Sequence, residues 1–380
     1  MQNHSGLPSR PRIPKHWNVV PMPDGRIQVR SAHKTVLLGG KSVSAVGKLL
    51  SLLDGTRQLP DILAEFPDIP ASEVLGTLRR LAERGLVEAA PDPEAAGAGD
   101  GYLYGAQKTL FQLSSRNSAE SQETLAKSRV AVFGLGGVGS WAVLALARAG
   151  IGGITGVDPG VVERSLPAVS ALYRTDDVGQ DRATALGERL REAWPSVQYT
   201  AAATDLGERE SVTPFVARSS LALVCMDTPE VAAYRAVNAA SLEAGVPWLR
   251  AAVDGFEAQL GPTVIPGETA CYSCYELRSR ANWPYYDENA AFEDYLASER
   301  PRIDYGGLSS IAGLIGNLAA LEVTKLLAGF MPPLTTGKFI TFHVVTLDYQ
   351  SHDVLKLPRC PSCSVIALRP KALHWSLEEA

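Results

Sequence analysis

Four of the chain's five cysteines fall in two C-x-x-C pairs, Cys271 and Cys274 in "CYSC" and Cys360 and Cys363 in "CPSC". Four thiolates suit a tetrahedral zinc ion, and each short turn presents two ligands together. Two other readings stand beside it: buried cysteines without a metal, and a redox dithiol. Four sulfur ligands leave no open coordination position, so zinc held here is structural rather than catalytic. Pairing across roughly 85 residues ties a mid-chain segment to the C-terminal tail. Cys225, in the apolar run "LALVCMD", reads as a core residue.

A second group of residues points to a nucleotide. "RVAVFGLGGVGSWAVLALARAG", Arg129 to Gly150, reads as a buried strand, a glycine-rich turn and a helix. Gly134, Gly136 and Gly139 give the spacing G-x-G-x-x-G. Such glycines let the turn close tightly, let backbone approach a phosphate, and leave the helix N-terminus facing an anion. Alone the motif is a weak signal, so its neighbours decide.

The elements that must position these residues are legible along the chain. With 380 residues, two or three domains are expected, with a substantial core. The formal charge of −5 gives no general pull toward nucleic acid or an anionic membrane. The N-terminus is polar and proline-rich, and the one long apolar run, near Ile311, is broken by Gly and Ser. These features describe a cytoplasmic protein with no membrane span. "EAAPDPEAAGAGDG", Glu88 to Gly101, has a linker's composition, which gives an N-terminal module over 1–90, a linker over 91–106 and a body over 107–380.

In the module, "WNVVPM", "RIQVR" and "TVLLGG" are strand candidates, with Asp24-Gly25 as the first turn. Three helices follow: one through Val43, Val46, Leu49, Leu50 and Leu53, a short one through Ile62, Leu63 and Phe66, and one through Val74, Leu75, Leu78 and Leu81. The third is capped by Ser72 and closed near Gly85. "LVEAA" returns as a last strand, and the whole describes a small winged-helix domain. The body alternates strands and helices, which argues for a mostly parallel, doubly wound α/β sheet.

The ordered motifs of the body resemble the adenylyltransferases that activate ubiquitin-like proteins and sulfur-carrier proteins. They are "VFGLGGVGS", Asp158, "YRTDDVGQDRA", "CMDTPEVAAYRAVN", "PGETACYSCYE", "GLIGNLAALEVTKLL" and "CPSC". The resemblance implies a Rossmann-like activating-enzyme fold with a zinc site and pairing of two copies through the body. It also implies ATP and magnesium, with Asp158 on the ribose, Asp227 on the metal, and Arg182 in place of the family's lysine. If the chain is catalytic, Asp227 and Arg182 carry the chemistry. The family pattern Asn-Leu-x-Arg-Gln before the acidic turn is lost, because Leu166, Pro167, Ala168, Val169 and Ser170 stand there. Leu and Val cannot donate to the charge that builds on the α-phosphate, and losing one such donor typically costs about 100-fold or more. Arg164 and Arg174 flank the gap as possible substitutes.

The N-terminal module is similar to the PqqD-like elements that bind leader peptides of ribosomally made natural products. That likeness implies a leader strand beside Val36, Leu37 and Leu38, resting on the third helix at Leu75 and Arg79. DNA binding is the other use of a winged helix, but Arg79, Arg80 and Arg84 are interspersed with Glu73 and Glu83, so nucleic acid is not the expected partner. Together, module, body and the ending "VLKLPRCPSCS" resemble the ThiF-like partner proteins of azoline-forming, YcaO-type cyclodehydratases. The implied function is leader binding and delivery to a cyclodehydratase on another chain. The alternative is ATP-dependent adenylation of a peptide carboxylate by this chain.

Overall fold

The structure, a computed structural model, describes residues 6–32, 34–90, 103–114, 118–227, 231–299 and 306–364. Most of the segment read as a linker therefore lies outside the described residues. The chain divides into two compact units, Met1–Ser121 and Gln122–Ala380.

The N-terminal unit contains β1 (Pro11–Arg12), β2 (Asn18–Pro21), β3 (Ile27–Arg30), β4 (Thr35–Leu38), α1 (Val43–Leu52), α2 (Leu59–Ala64), α3 (Ala71–Glu83), β5 (Glu88–Ala89) and α4 (Gly105–Leu113). Strands β2, β3 and β4 form an antiparallel sheet in that order, and β1 pairs with β5. Asp24 and Gly25 sit in the β2–β3 turn, where Asp24 Oδ1 accepts the Arg26 N–H at 3.1 Å. On β3, Ile27 and Val29 alternate inward and meet Leu49, Leu50, Ile62, Leu78 and Leu81 of the three helices. Each such side chain contributes about 1.5–3 kcal/mol on full burial.

Three details differ from the sequence reading. Helix α3 starts at Ala71 behind Pro70 with no side-chain cap, because proline's fixed φ already suits a helix entry; Ser72 falls inside the first turn. The pairing of β1 with β5 carries no period-2 signal, being two residues long. Helix α4 groups with the N-terminal unit, whereas 107 reads as the start of the body from sequence alone. Its Phe111 is buried, and Gln112 donates to Glu88 of β5.

The second unit follows α5 (Ser118–Lys127) with β6 (Arg129–Phe133), α6 (Gly137–Arg148), β7 (Gly153–Val157), α7 (Leu166–Val169), α8 (Arg182–Ala193), β8 (Gln198–Ala202), α9 (Arg209–Ala217), β9 (Leu221–Met226), α10 (Val231–Ala244), β10 (Trp248–Asp254) and β11 (Glu257–Val264). It continues through α11 (Tyr272–Arg280), α12 (Tyr286–Glu299), α13 (Ser309–Ala328), β12 (Lys338–His343) and β13 (Asp348–Asp353). One eight-stranded sheet runs β13-β12-β11-β10-β9-β6-β7-β8. Strands β8, β7, β6, β9 and β10 are parallel and form the larger part of the sheet, while β11, β12 and β13 add antiparallel pairings, so the sheet is mixed. The cause is local. Asp254 pairs with Glu257 across a two-residue turn, with Gly255 at φ +59°, and such a turn permits only antiparallel return.

Strand order reverses between β6 and β9, and in open α/β sheets ligands bind at that point, beyond the strand ends. Helix α13 is apolar and long enough to cross a membrane by length and composition, yet it packs on α6 and on β9, β10 and β11. A Cβ on Gly316 would lie 2.6 Å from the Val138 carbonyl oxygen, so only glycine allows the two helices to come so close.

Candidate functional site

At the switch point, β6 ends in Phe133 and the glycine-rich turn feeds α6. The first N–H groups of a helix lack intrahelical partners and attract anions. Here the anion is the chain's own. Asp227, just after β9, accepts the Gly137 N–H at 2.6 Å and the Val138 N–H at 3.0 Å. A Cβ on Gly136 would sit 1.8 Å from Asp227 Oδ2, so glycine is required for this approach. Burial pushes the Asp227 carboxyl above the ordinary carboxylate range, although both N–H groups and Arg182 pull it down.

Asp158, after β7, is also buried and engaged. Its carboxylate accepts the Leu135 and Gly160 N–H groups, each at 2.7 Å, and lies 3.3 Å from Arg182 Nη1. Arg182 Nη2 meets Glu163 at 2.8 Å, and its Nε donates to the Val161 carbonyl at 3.0 Å. Sequence reading did not single out Tyr173, although it lies in "YRTDDVGQDRA". Burial keeps its hydroxyl protonated, and it donates to the Leu135 carbonyl at 2.9 Å, with the Arg182 carbonyl at 3.0 Å. The ring therefore fastens the glycine-rich turn to the start of α8. No tyrosine rule in a sequence signals that role; only the fold places Tyr173 there.

The segment lacking the family's donors forms α7, and its backbone is docked on α6. Leu166 is buried, Trp141 Nε1 donates to the Val169 carbonyl at 3.3 Å, and Ala171 N–H donates to Ser140 Oγ at 3.0 Å. The flanking arginines are turned outward: Arg164 is exposed, and exposed Arg174 pairs with Glu192 at 2.9 Å. Among the described residues, the cations near the turn are thus engaged with the chain's own acids or point to solvent.

The cysteine cluster is assembled by elements far apart in sequence. Cys271 stands at the start of α11, and Cys360 and Cys363 come from the segment after β13. Sγ–Sγ separations are 3.9 Å for Cys271–Cys274 and 3.6 Å for both Cys271–Cys360 and Cys274–Cys363. All four sulfurs lie within 4.8 Å of one another. Zn–S bonds of about 2.3 Å place tetrahedral sulfurs about 3.8 Å apart, so the set has the size a zinc ion needs. Asn238 Oδ1 accepts the Tyr272 N–H at 2.9 Å, and Ser273 and Ser362 hydroxyls meet at 2.7 Å, fixing both turns around the sulfurs.

In the N-terminal unit, a groove of about 710 Å³ opens beside β4. Thr35, Val36 and Leu37 line one side; Ala82, Glu83 and Arg84 at the end of α3 line the other. Leu38 is half-buried toward the unit's core, Leu75 is buried in it, and Arg79 is exposed on α3; none of the three lines the groove. His16 and Trp17, missed by sequence reading, form part of the wall.

The sequence pattern of the ThiF family matches residues 109–365, more than half of the chain. The chain belongs to the ThiF family. The sulfur carrier protein ThiS adenylyltransferase of Escherichia coli is 30% identical over 244 residues, covering 64% of this chain and 89% of that protein. Protein HesA of Leptolyngbya boryana is 30% identical over 262 residues, 68% of this chain and 85% of that one. Among solved structures, the microcin C7 biosynthetic enzyme MccB in complex with N-formylated MccA aligns with a TM-score of 0.71 at 20% identity. It covers 93% of this ThiF-family chain and 99% of MccB, so the likeness in fold extends beyond 109–365 into the N-terminal unit.

Proposed function

We propose that this ThiF-family protein binds the leader of a ribosomally made precursor peptide with its N-terminal, PqqD-like unit. It then delivers the peptide to a YcaO-type cyclodehydratase, a separate partner that forms azolines from Cys, Ser or Thr. The observation that carries the reading is the groove along β4. Among the described residues this strand pairs only with β3, so its outer edge has backbone donors and acceptors for a peptide strand, while Val36 and Leu37 offer apolar contacts for register. Support for a scaffold role of the body comes from Leu166 and Val169 at the donor positions, and from Asp227 already holding the α6 N-terminus. Zinc in the cysteine cluster is structural in this reading. Leu314 and Leu321, exposed on one stripe of α13, are the surface through which two copies pair.

Adenylation of a peptide carboxylate by this chain is the second reading. It is favoured by one observation: Asp158, Arg182 and Asp227 converge around the glycine-rich turn, as ATP and magnesium would require. ATP–pyrophosphate exchange in the presence of the precursor decides between them. The scaffold reading expects tight leader binding without nucleotide and no peptide-dependent exchange. Exchange at an enzyme's turnover that disappears in Asp227→Ala establishes adenylation instead.

A further inference from the structure

We infer that the second unit carries another ligand site, built for a carboxylate attached to an aromatic or branched apolar group and centred on Arg250. The site is independent of the leader groove and of the nucleotide cleft. Along β10, Trp248, Arg250 and Ala252 alternate with Leu249 and Ala251, so the two sets face opposite sides of the sheet. Trp248 belongs to the cluster containing Tyr234 of α10 and Tyr272 of α11, whereas α6 and α13 cover the other face. Arg250 pairs in register with Val224, three residues before Asp227, about 10 Å along the strand.

Arg250 lines a cavity of about 280 Å³ between β10, α10, α11 and α12. Its guanidinium is held in place: Nη2 donates to Gln259 Oε1 at 2.6 Å, and the central carbon lies 4.5 Å from the Tyr234 ring and 5.9 Å from that of Tyr275. Its Nε and Nη1 are shielded from solvent with the Tyr234 side chain beside them as an electrostatic partner, and neither atom makes a hydrogen bond of full geometry among the described residues. A buried cation with unused donors is costly to a fold unless something else meets it. An acceptor entering the cavity would supply what is missing.

The rest of the lining selects the ligand. Trp283, Phe292 and Leu296 form an apolar wall suited to an aromatic or branched side chain. Two of the three acids in the cavity are already neutralised: Glu276 pairs with Arg235 at 2.5 Å and Glu293 with Arg280 at 2.8 Å. Asp254 stands exposed at the rim. A singly charged carboxylate fits this balance, whereas a phosphate dianion meets repulsion from Asp254 with Arg250 as the cation, among the described lining residues, to offset it. The small volume, near the lower end of ligand cavities, suits an amino-acid carboxylate or a peptide's C-terminal residue.

The test uses the full-length protein with N-acetylphenylalanine, N-acetylphenylalanine amide and inorganic phosphate as probes, followed by isothermal titration and thermal shift. The carboxylate should bind and raise the melting temperature, with the amide and phosphate at least tenfold weaker. Arg250→Met should abolish binding, and Arg250→Lys should weaken it several-fold. Phe292→Ala, at a half-exposed position, should weaken binding without changing melting of the free protein. No saturable binding of N-acetylphenylalanine to the wild type, equal binding of its amide, or unchanged binding in a folded Arg250→Met overturns the site.

Discussion

Cys360→Ser should strip zinc from the protein and melt its second unit at a markedly lower temperature. Cys360 is fully buried, with its sulfur 3.6 Å from that of Cys271, and serine offers a poor zinc ligand in the same volume. The magnitude follows from what the metal closes. A clip between Cys274 and Cys360 shuts a loop of about 85 residues, and loop-closure entropy makes such a constraint worth about 4–5 kcal/mol. A domain stability of about 5–15 kcal/mol makes that a third or more of the total. For a unit of this size, 1 kcal/mol moves the melting temperature by about 2–4 °C, so a fall of roughly 10–20 °C is expected. The assay is elemental analysis for zinc per chain together with calorimetry, with and without a chelator on the wild type. Chelation and Cys360→Ser should produce the same loss, because ligation and folding are coupled. Well-folded wild type containing no zinc, or a chelator that removes zinc without lowering the melting temperature, refutes the reasoning.

Other outcomes can be checked more briefly. Leu37→Asp on β4, which is 51% exposed, should leave melting unchanged and weaken leader binding at least tenfold, measured by fluorescence polarisation of a labelled leader. Asp227→Ala should leave leader affinity untouched in the same assay; a loss would tie the two units' functions together. Asp177 is fully buried, and Arg189, at 2.6 Å, holds its carboxyl below the ordinary carboxylate range. A depressed folded pKa stabilises above the unfolded value of about 3.9, and that stability is lost as pH falls through the lower folded value. Arg189→Gln should therefore bring acid unfolding to a higher pH, followed by circular dichroism. Light scattering should report a dimer at micromolar concentration, and Leu314→Glu with Leu321→Glu should return a monomer.

The parts of this molecule that were legible in sequence share one property: their signal is local. The glycine-rich turn and both C-x-x-C pairs each lie within a short window and are placed as expected; the helical spacing from Val43 to Leu81 gives three helices, though Leu53 and Phe66 fall just past the ends of α1 and α2. The departures arise where distant segments meet. Two-residue strands β1 and β5 exist only because they find each other, and α4 groups with the N-terminal unit, where Gln112 bonds Glu88, which no periodicity announces. The antiparallel part of the sheet hangs on the Gly255 turn, whose geometry a sequence states only weakly. Leu75 shows the limit of analogy at single positions. Helix α3 forms over Ala71–Glu83, but this side chain points into the unit's own core.

The nucleotide cleft is where local reading and structure bear on each other most closely. G-x-G-x-x-G announces donors that want an anion, and the fold supplies one from within at Asp227. A phosphate entering the same helix N-terminus must take its N–H groups from a carboxylate already bonded at 2.6 and 3.0 Å. Such charge-assisted bonds are roughly twice as strong as neutral ones, so nucleotide binding has to displace them before gaining its own. In an adenylating enzyme, donors on the adjoining segment would add to the gain. Here that segment is α7, with Leu166 buried and its backbone committed to Trp141 and Ser140. The same local rule that marks a nucleotide site thus also explains how the site can stand satisfied without one.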